Sequence, residues 1–201
     1  MQTDSPTPIR VLHVSFYWDP GLNNIAWRML EALGQGEEAG RFQNLPLYLF
    51  RGDGGAGGAP PDGLCLDAEP RDLRGLRQGA LVRRVRAALP DSQDVTVVHR
   101  MRAALLVERA LGKDRGAGLV VVHGRNTLRG RRRRGQVLKR LVPHWHFAAI
   151  SGAVREDLEM RGIPPERILD LPNALDVAGV RERQVDREAA RVALELPPKP
   201  S

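Results

Sequence analysis

The sequence contains a single cysteine, Cys65, so no internal disulfide framework is available to hold the fold together. Aromatic residues make up only 4% of the chain, which leaves few platforms on which bases of a nucleic acid would stack. No apolar run approaches the roughly 18 to 20 residues needed to span a bilayer. The first sixteen residues carry Asp4, Pro6 and Pro8 where a secretory signal would have a basic start and a long apolar stretch. These absences point to the cytoplasm, with attachment to the inner face of a membrane left open. What the chain does have is a large apolar fraction, 42% of 201 residues, enough for one substantial domain core. It is also basic, with 31 Lys and Arg against 24 Asp and Glu, a net charge of +7 that favours an anionic partner.

Short apolar runs separated by helical patterns set the fold class. Ile9–Phe16, Leu45–Phe50, Leu64–Leu66, Asp94–His99, Leu119–Val122, Phe147–Ile150 and Ile168–Leu171 are too brief for helices and rich in apolar residues, as in the buried strands of a parallel sheet. Between them, apolar residues recur at helical spacing over 24–33, Leu73–Leu89, Met101–Leu111 and Gly152–Met160. The alternation predicts an α/β, Rossmann-like three-layer sandwich with a mainly parallel sheet of six or seven strands. Residues 1–8 read as a flexible leader and 9–176 as the domain. Residues 177–201 read as a linker, with a charged helix over Val185–Leu196.

Ligands of such sheets bind outside the carboxyl ends of the strands. Those ends carry His99, Arg100, His123, Gly124, Asn126, Ser151 and Asn173. After the first strand, Gly21 begins a turn into a helix that Asn23 or Asn24 is suited to cap. Ser151 is a good N-cap for the helix that follows it, a sufficient structural reason for a serine there. The run RGDGGAGGAPPDG, at residues 51–63, is rich enough in glycine and proline to be a surface loop. It lacks the strand-to-helix setting and the acidic residue of a dinucleotide fingerprint.

The succession VVVHG, AISGAVREDL, GIPPERI and LPNALD resembles the N-terminal, acceptor-side half of GT-B glycosyltransferases of family 4. The resemblance covers nearly the whole chain but half of the complete enzyme. It implies transfer of a hexose or heptose from a nucleotide-sugar to a glycan, lipopolysaccharide or lipid-linked acceptor, with retention of configuration. It implies no cofactor beyond the nucleotide-sugar co-substrate and no bound metal. His123 corresponds to the loop histidine that faces the donor sugar, and it is the residue the resemblance marks as catalytic. Gly21, Asn23, His99, Arg100, Asn126, Ser151 and Asn173 would line the donor or acceptor cleft. Three positions depart from the pattern: Gly21 is followed by Leu22 instead of a second glycine, Met101 replaces a second histidine, and Ala174 stands where glycine is usual. The nucleotide-binding half would be a separate or following C-terminal domain, and the 201 residues alone would be inactive.

A second feature is the basic segment. Eight of the sixteen residues from Arg125 to Arg140 are Lys or Arg. At about 100° per residue, a helix there puts Arg129, Arg132, Arg133, Lys139 and Arg140 on one side and Val137, Leu138, Leu141, Val142 and Trp145 on the other. Three readings stay open: a solvated face of an ordinary crossover helix, contact with an anionic membrane or a phosphorylated acceptor, and nucleic-acid binding, which the sequence favours least. A non-catalytic module that binds a membrane or polyanion through this helix is the alternative to the transferase.

Overall fold

The computed structural model describes residues 7–17, 40–50, 63–73, 75–89, 92–124, 138–172, 181 and 184–195. Its centre is a sheet of seven strands: β1 (Ile9–Tyr17), β2 (Phe42–Phe50), β3 (Leu64–Cys65), β4 (Val95–Val98), β5 (Ala117–Val122), β6 (Trp145–Ala149) and β7 (Ile168–Asp170). They lie in the order β3-β2-β1-β4-β5-β6-β7, and every adjacent pair is parallel. The chain starts in the middle, builds outward one way through β2 and β3, then returns and builds the other way. That order is the doubly wound, Rossmann-like arrangement, with its reversal between β1 and β4.

Helices α1 (Gly75–Ala88), α2 (Met101–Leu111) and α3 (Gly152–Glu159) follow β3, β4 and β6. They pack on one face of the sheet. Side chains alternate along a strand, and Leu12, Val14, Val98, Val120, Val122, Phe147 and Ala149 share a core with Leu81, Val85, Leu106, Val107, Val154 and Leu158 from the helices. One handedness rule explains the common face: the crossovers β3 to β4, β4 to β5 and β6 to β7 all step in the same direction across the sheet. The opposite sheet face has a smaller apolar cluster, Val11, Val97, Val121 and Ala148. A short charged helix, α4 (Arg187–Ala193), ends the described chain.

The strands begin earlier than their apolar runs. Phe42, Gln43 and Asn44 pair with Ile9, Arg10 and Val11, and Ala117 and Gly118 pair with Val95 and Thr96. Pairing with a neighbour makes these residues extended, whatever their own preferences. Trp145 requires a correction. Helical spacing places it on the apolar side of the basic helix, but it is the first residue of β6 and fully buried. The helix has ended by Leu141, and a turn over 142–144 containing Pro143 follows it. The expected last helix, Val185–Leu196, is shorter than its pattern, Arg187–Ala193.

The amino ends of β4, β5 and β6 are closely knit. Arg115, 6% exposed, pairs with Glu108 at 3.1 Å and donates to the carbonyl of His144 at 2.8 Å. Its guanidinium also lies 5.1 Å from the centre of the Trp145 ring. Trp145 Nε1 donates to the same Glu108 carboxylate at 2.8 Å, and Thr96 Oγ1 donates to the Arg115 carbonyl at 2.7 Å. Gly118 is required beneath the indole, because a Cβ there would stand 2.6 Å from ring carbons.

Candidate functional site

The reversal of strand order opens the sheet at the carboxyl ends of β1 and β4, and the first residues past β4 and β5 meet there. Burial of Val97 and Val98 carries β4 to an end at which His99 is still enclosed, being 7% exposed. The His99 backbone N–H donates to the carbonyl of Val14 at 3.2 Å, extending the ladder between β1 and β4 by one rung. From β5 comes His123, at the surface. His99 Nδ1 and His123 Nε2 are 3.0 Å apart, a hydrogen bond, and the rings stack with centroids 5.3 Å apart at 24°.

Arg100 closes one side. It occupies the N-cap position of α2 in extended conformation, and its carbonyl accepts from the N–H groups of Ala103 and Ala104. Its guanidinium sits 5.5 Å from the centre of the Phe16 ring at the end of β1. Its charge also acts on His123, whose pKa is lowered first by loss of water and then by Arg100.

Two further polar residues belong to this group, His13 and Asn44, neither of which stands out in the sequence. They form a diagonal with the histidine pair. Asn44 of β2 is level with Val11 of β1, and His13 stands two residues further on. His13 is level with Val97 of β4, and His99 stands two residues further on. Val97 is level with Leu119 of β5, so His99 falls level with Val121 and His123 two residues further on. Alternation puts all four on the face of the smaller apolar cluster. Each step to the next strand thus advances the line by two residues towards the carboxyl edge.

Burial keeps the inner histidines neutral. Loss of water lowers His13 to about 4, with Asn44 opposing as a hydrogen-bonding neighbour. Loss of water lowers His99 to about 3, and the charged forms of His123 and His13 push in the same direction. Both His13 nitrogens, His99 Nε2 and Asn44 Oδ1 are buried without a partner in hydrogen-bond geometry among the described residues. The same burial raises Tyr48, on this sheet face beside Ser15, to about 12. The result is a buried polar surface with no charge of its own near neutral pH, bordered by one arginine.

Of the residues selected from the sequence, His99, Arg100 and His123 come together. Ser151 follows β6 at the N-cap position of α3, but its hydroxyl makes no capping hydrogen bond. Its carbonyl does the capping work, accepting from Val154 and Arg155. Lys139 and Arg140 are exposed, but they precede β6 and so lie towards the amino edge of the sheet, away from the histidines. Gly21, Asn23, Asn126, Asn173, Arg129, Arg132 and Arg133 fall outside the described residues, as do the helix over 24–33 and the glycine-rich run. Among the described residues, no group of three or more His, Cys, Asp or Glu is placed to hold a metal ion. Among the same residues, no helix is long and apolar enough to cross a membrane. No family model and no curated protein matches the chain.

Proposed function

We propose that the chain is the acceptor-side domain of a retaining glycosyltransferase and that the cleft at the carboxyl ends of β4 and β5 holds the sugar. The hydrogen-bonded His99–His123 pair beside the reversal of a parallel sheet carries this reading. Neutral imidazoles suit sugar hydroxyls, which both donate and accept hydrogen bonds, and they bring no charge that an uncharged ring would have to satisfy. His123 is the group that touches the sugar. Arg100, exposed at the rim, offers its charge to a phosphate or carboxylate of donor or acceptor.

The donor nucleotide would be held by a second domain, and catalysis would come mainly from positioning and from stabilising the departing diphosphate. In a two-domain enzyme containing this chain, His123→Ala lowers turnover by about 100-fold, the size of effect that lost positioning produces, with the fold intact. Near-unchanged sugar transfer by a folded variant overturns the assignment.

Attachment to an anionic membrane surface is the second reading. Exposed Lys139 and Arg140 at the described end of the basic segment support it. Sedimentation with vesicles of anionic against neutral lipid separates it from the first, and equal binding to both removes it.

A further inference from the structure

Helix α2 begins with charge of the wrong sign. Anions are favoured at a helix N-terminus, yet α2 opens with Arg100 at the N-cap position and Arg102 in the first turn, with no acidic residue there and no side-chain cap. Both arginines are exposed, and neither makes an ion pair among the described residues. No carboxylate of those residues offsets the placement, which lies beside the histidine pair. We infer that Arg100 is the specificity-determining residue of the cleft, held on the ring of Phe16 to receive a phosphoryl group carried by the sugar that His123 contacts.

Phe16 makes this arginine a fixed receptor instead of a free surface chain. Its ring, 8% exposed near the carboxyl end of β1, packs against Phe50 with centroids 5.4 Å apart at 59°. The Arg100 guanidinium lies 5.5 Å from the centre of that ring. Such a contact uses the positive charge but none of the N–H donors, which are left for an oxyanion. The backbone end is fixed as well, since Arg100 is extended, φ −158° and ψ 140°, with its carbonyl tied into the first turn of α2.

The charge is within reach of the cleft, because it acts on His123. Other cations are elsewhere or already engaged. Lys139 and Arg140 lie towards the amino edge, and Arg155, in α3 after β6, is held by Asp170 at 2.9 Å and by Glu159 at 3.0 Å. Among the described residues, the start of α2 is thus where a negative group on a ligand in the cleft meets unpaired cations. A phosphoryl group, with about two negative charges and three acceptor oxygens, answers two arginines and a helix N-terminus more fully than a carboxylate does. The sugar in this inference rests on the glycosyltransferase reading, whereas the anion site is a property of the ligand-free chain.

The test is binding of glucose, glucose 6-phosphate and inorganic phosphate to the 201-residue chain at fixed ionic strength, followed by NMR of the His123 ring. Glucose 6-phosphate should bind about 10- to 100-fold more tightly than glucose, the effect of charge-assisted hydrogen bonds. Arg100→Gln should remove that advantage and leave glucose binding as it was. Burial and then Arg100 lower the His123 pKa, so an anion seated on Arg100 raises the His123 titration midpoint, which an anion bound elsewhere does not. Phe16→Leu keeps the arginine and should weaken glucose 6-phosphate about threefold without changing glucose, and Phe16→Tyr, which keeps the ring, should restore it. Equal binding of glucose and glucose 6-phosphate by the wild-type chain overturns the inference without any variant. So does a folded Arg100→Gln that keeps the preference, or an unmoved His123 midpoint at saturation with glucose 6-phosphate. An undiminished preference in Phe16→Leu overturns the positioning by its ring. If inorganic phosphate binds at Arg100 as tightly as glucose 6-phosphate and glucose does not bind, the sugar reading fails and the anion site stands. If glucose binds at His123 with no gain from the phosphate ester, the anion site fails and the sugar reading stands.

Discussion

The two edges of the sheet are built from similar materials and tied to different degrees. At the amino edge a buried cation, Arg115, is matched by a carboxylate, two carbonyls and an indole face, and the indole N–H returns to the same carboxylate. At the carboxyl edge two buried histidines, with Asn44 behind them, keep nitrogens and an oxygen without such partners among the described residues. Arg115 Nε and Gln93 Nε2 at the amino edge also lack a partner in hydrogen-bond geometry, so the edges differ in degree: Arg115 has other partners for its charge, while neither nitrogen of His13 has one among the described residues. The amino edge is therefore the more strongly tied of the two.

Acid should break the comparison most severely. The pKa values of His13 and His99, ordinarily 6.5, fall to about 4 and about 3 in the fold, so the unfolded chain binds their protons first. Their contribution is fully present above about pH 6.5 and is lost as pH falls towards the folded values. Between about pH 6.5 and 4.5, before most carboxylates titrate, unfolding free energy should drop on the order of 3–5 kcal/mol. A flat denaturation midpoint across that window would show that these histidines are not enclosed.

At the other edge, Trp145→Ala should cost about 3–5 kcal/mol in urea unfolding, through the cavity and the lost partner of Glu108. A loss under about 1 kcal/mol would mean that the indole is not the centre of that cluster. Gly118→Ala should cost about 1–3 kcal/mol, because the added methyl meets the indole ring. Trp145→Leu in the same chain should recover part of that loss, and absence of recovery would point to backbone conformation as the cause. The smallest effect sharpens the contrast: His123→Ala should cost only about 1 kcal/mol of unfolding free energy, the loss of one hydrogen bond to His99. A large loss there would make His123 a structural residue.

Most of the sheet is legible in the sequence because its strands are buried on both faces and read as apolar runs. VTVV and LVVV are strands on composition alone, and α2 is marked by its nearly continuous apolar positions. Their extents are less legible. Phe42–Asn44 and Ala117–Gly118 are extended through pairing, which no local pattern records. Trp145 is misplaced by pattern because helical spacing happens to continue past the true end of the helix, although Pro143 is a visible stop. His99 and His123 are found through their positions after strands. His13 and Asn44 are not, since a diagonal depends on the register of four strands. The one trace is the alternation of His13 and Ser15 within the run VLHVSF, a polar stripe on the face that a buried strand ordinarily fills with aliphatic side chains.

The outermost strands of the sheet, β3 and β7, are also the shortest described, two and three residues. On β7 the exposed Leu169 is followed by Asp170, whose carboxylate is held by Arg155 at 2.9 Å. A rim so brief and so charged gives a foreign strand little backbone on which to add another rung. The interior of this sheet, with its long valine runs, is the kind of sequence that assembles into fibrils when exposed, and it is these blunt outer strands that guard against such growth.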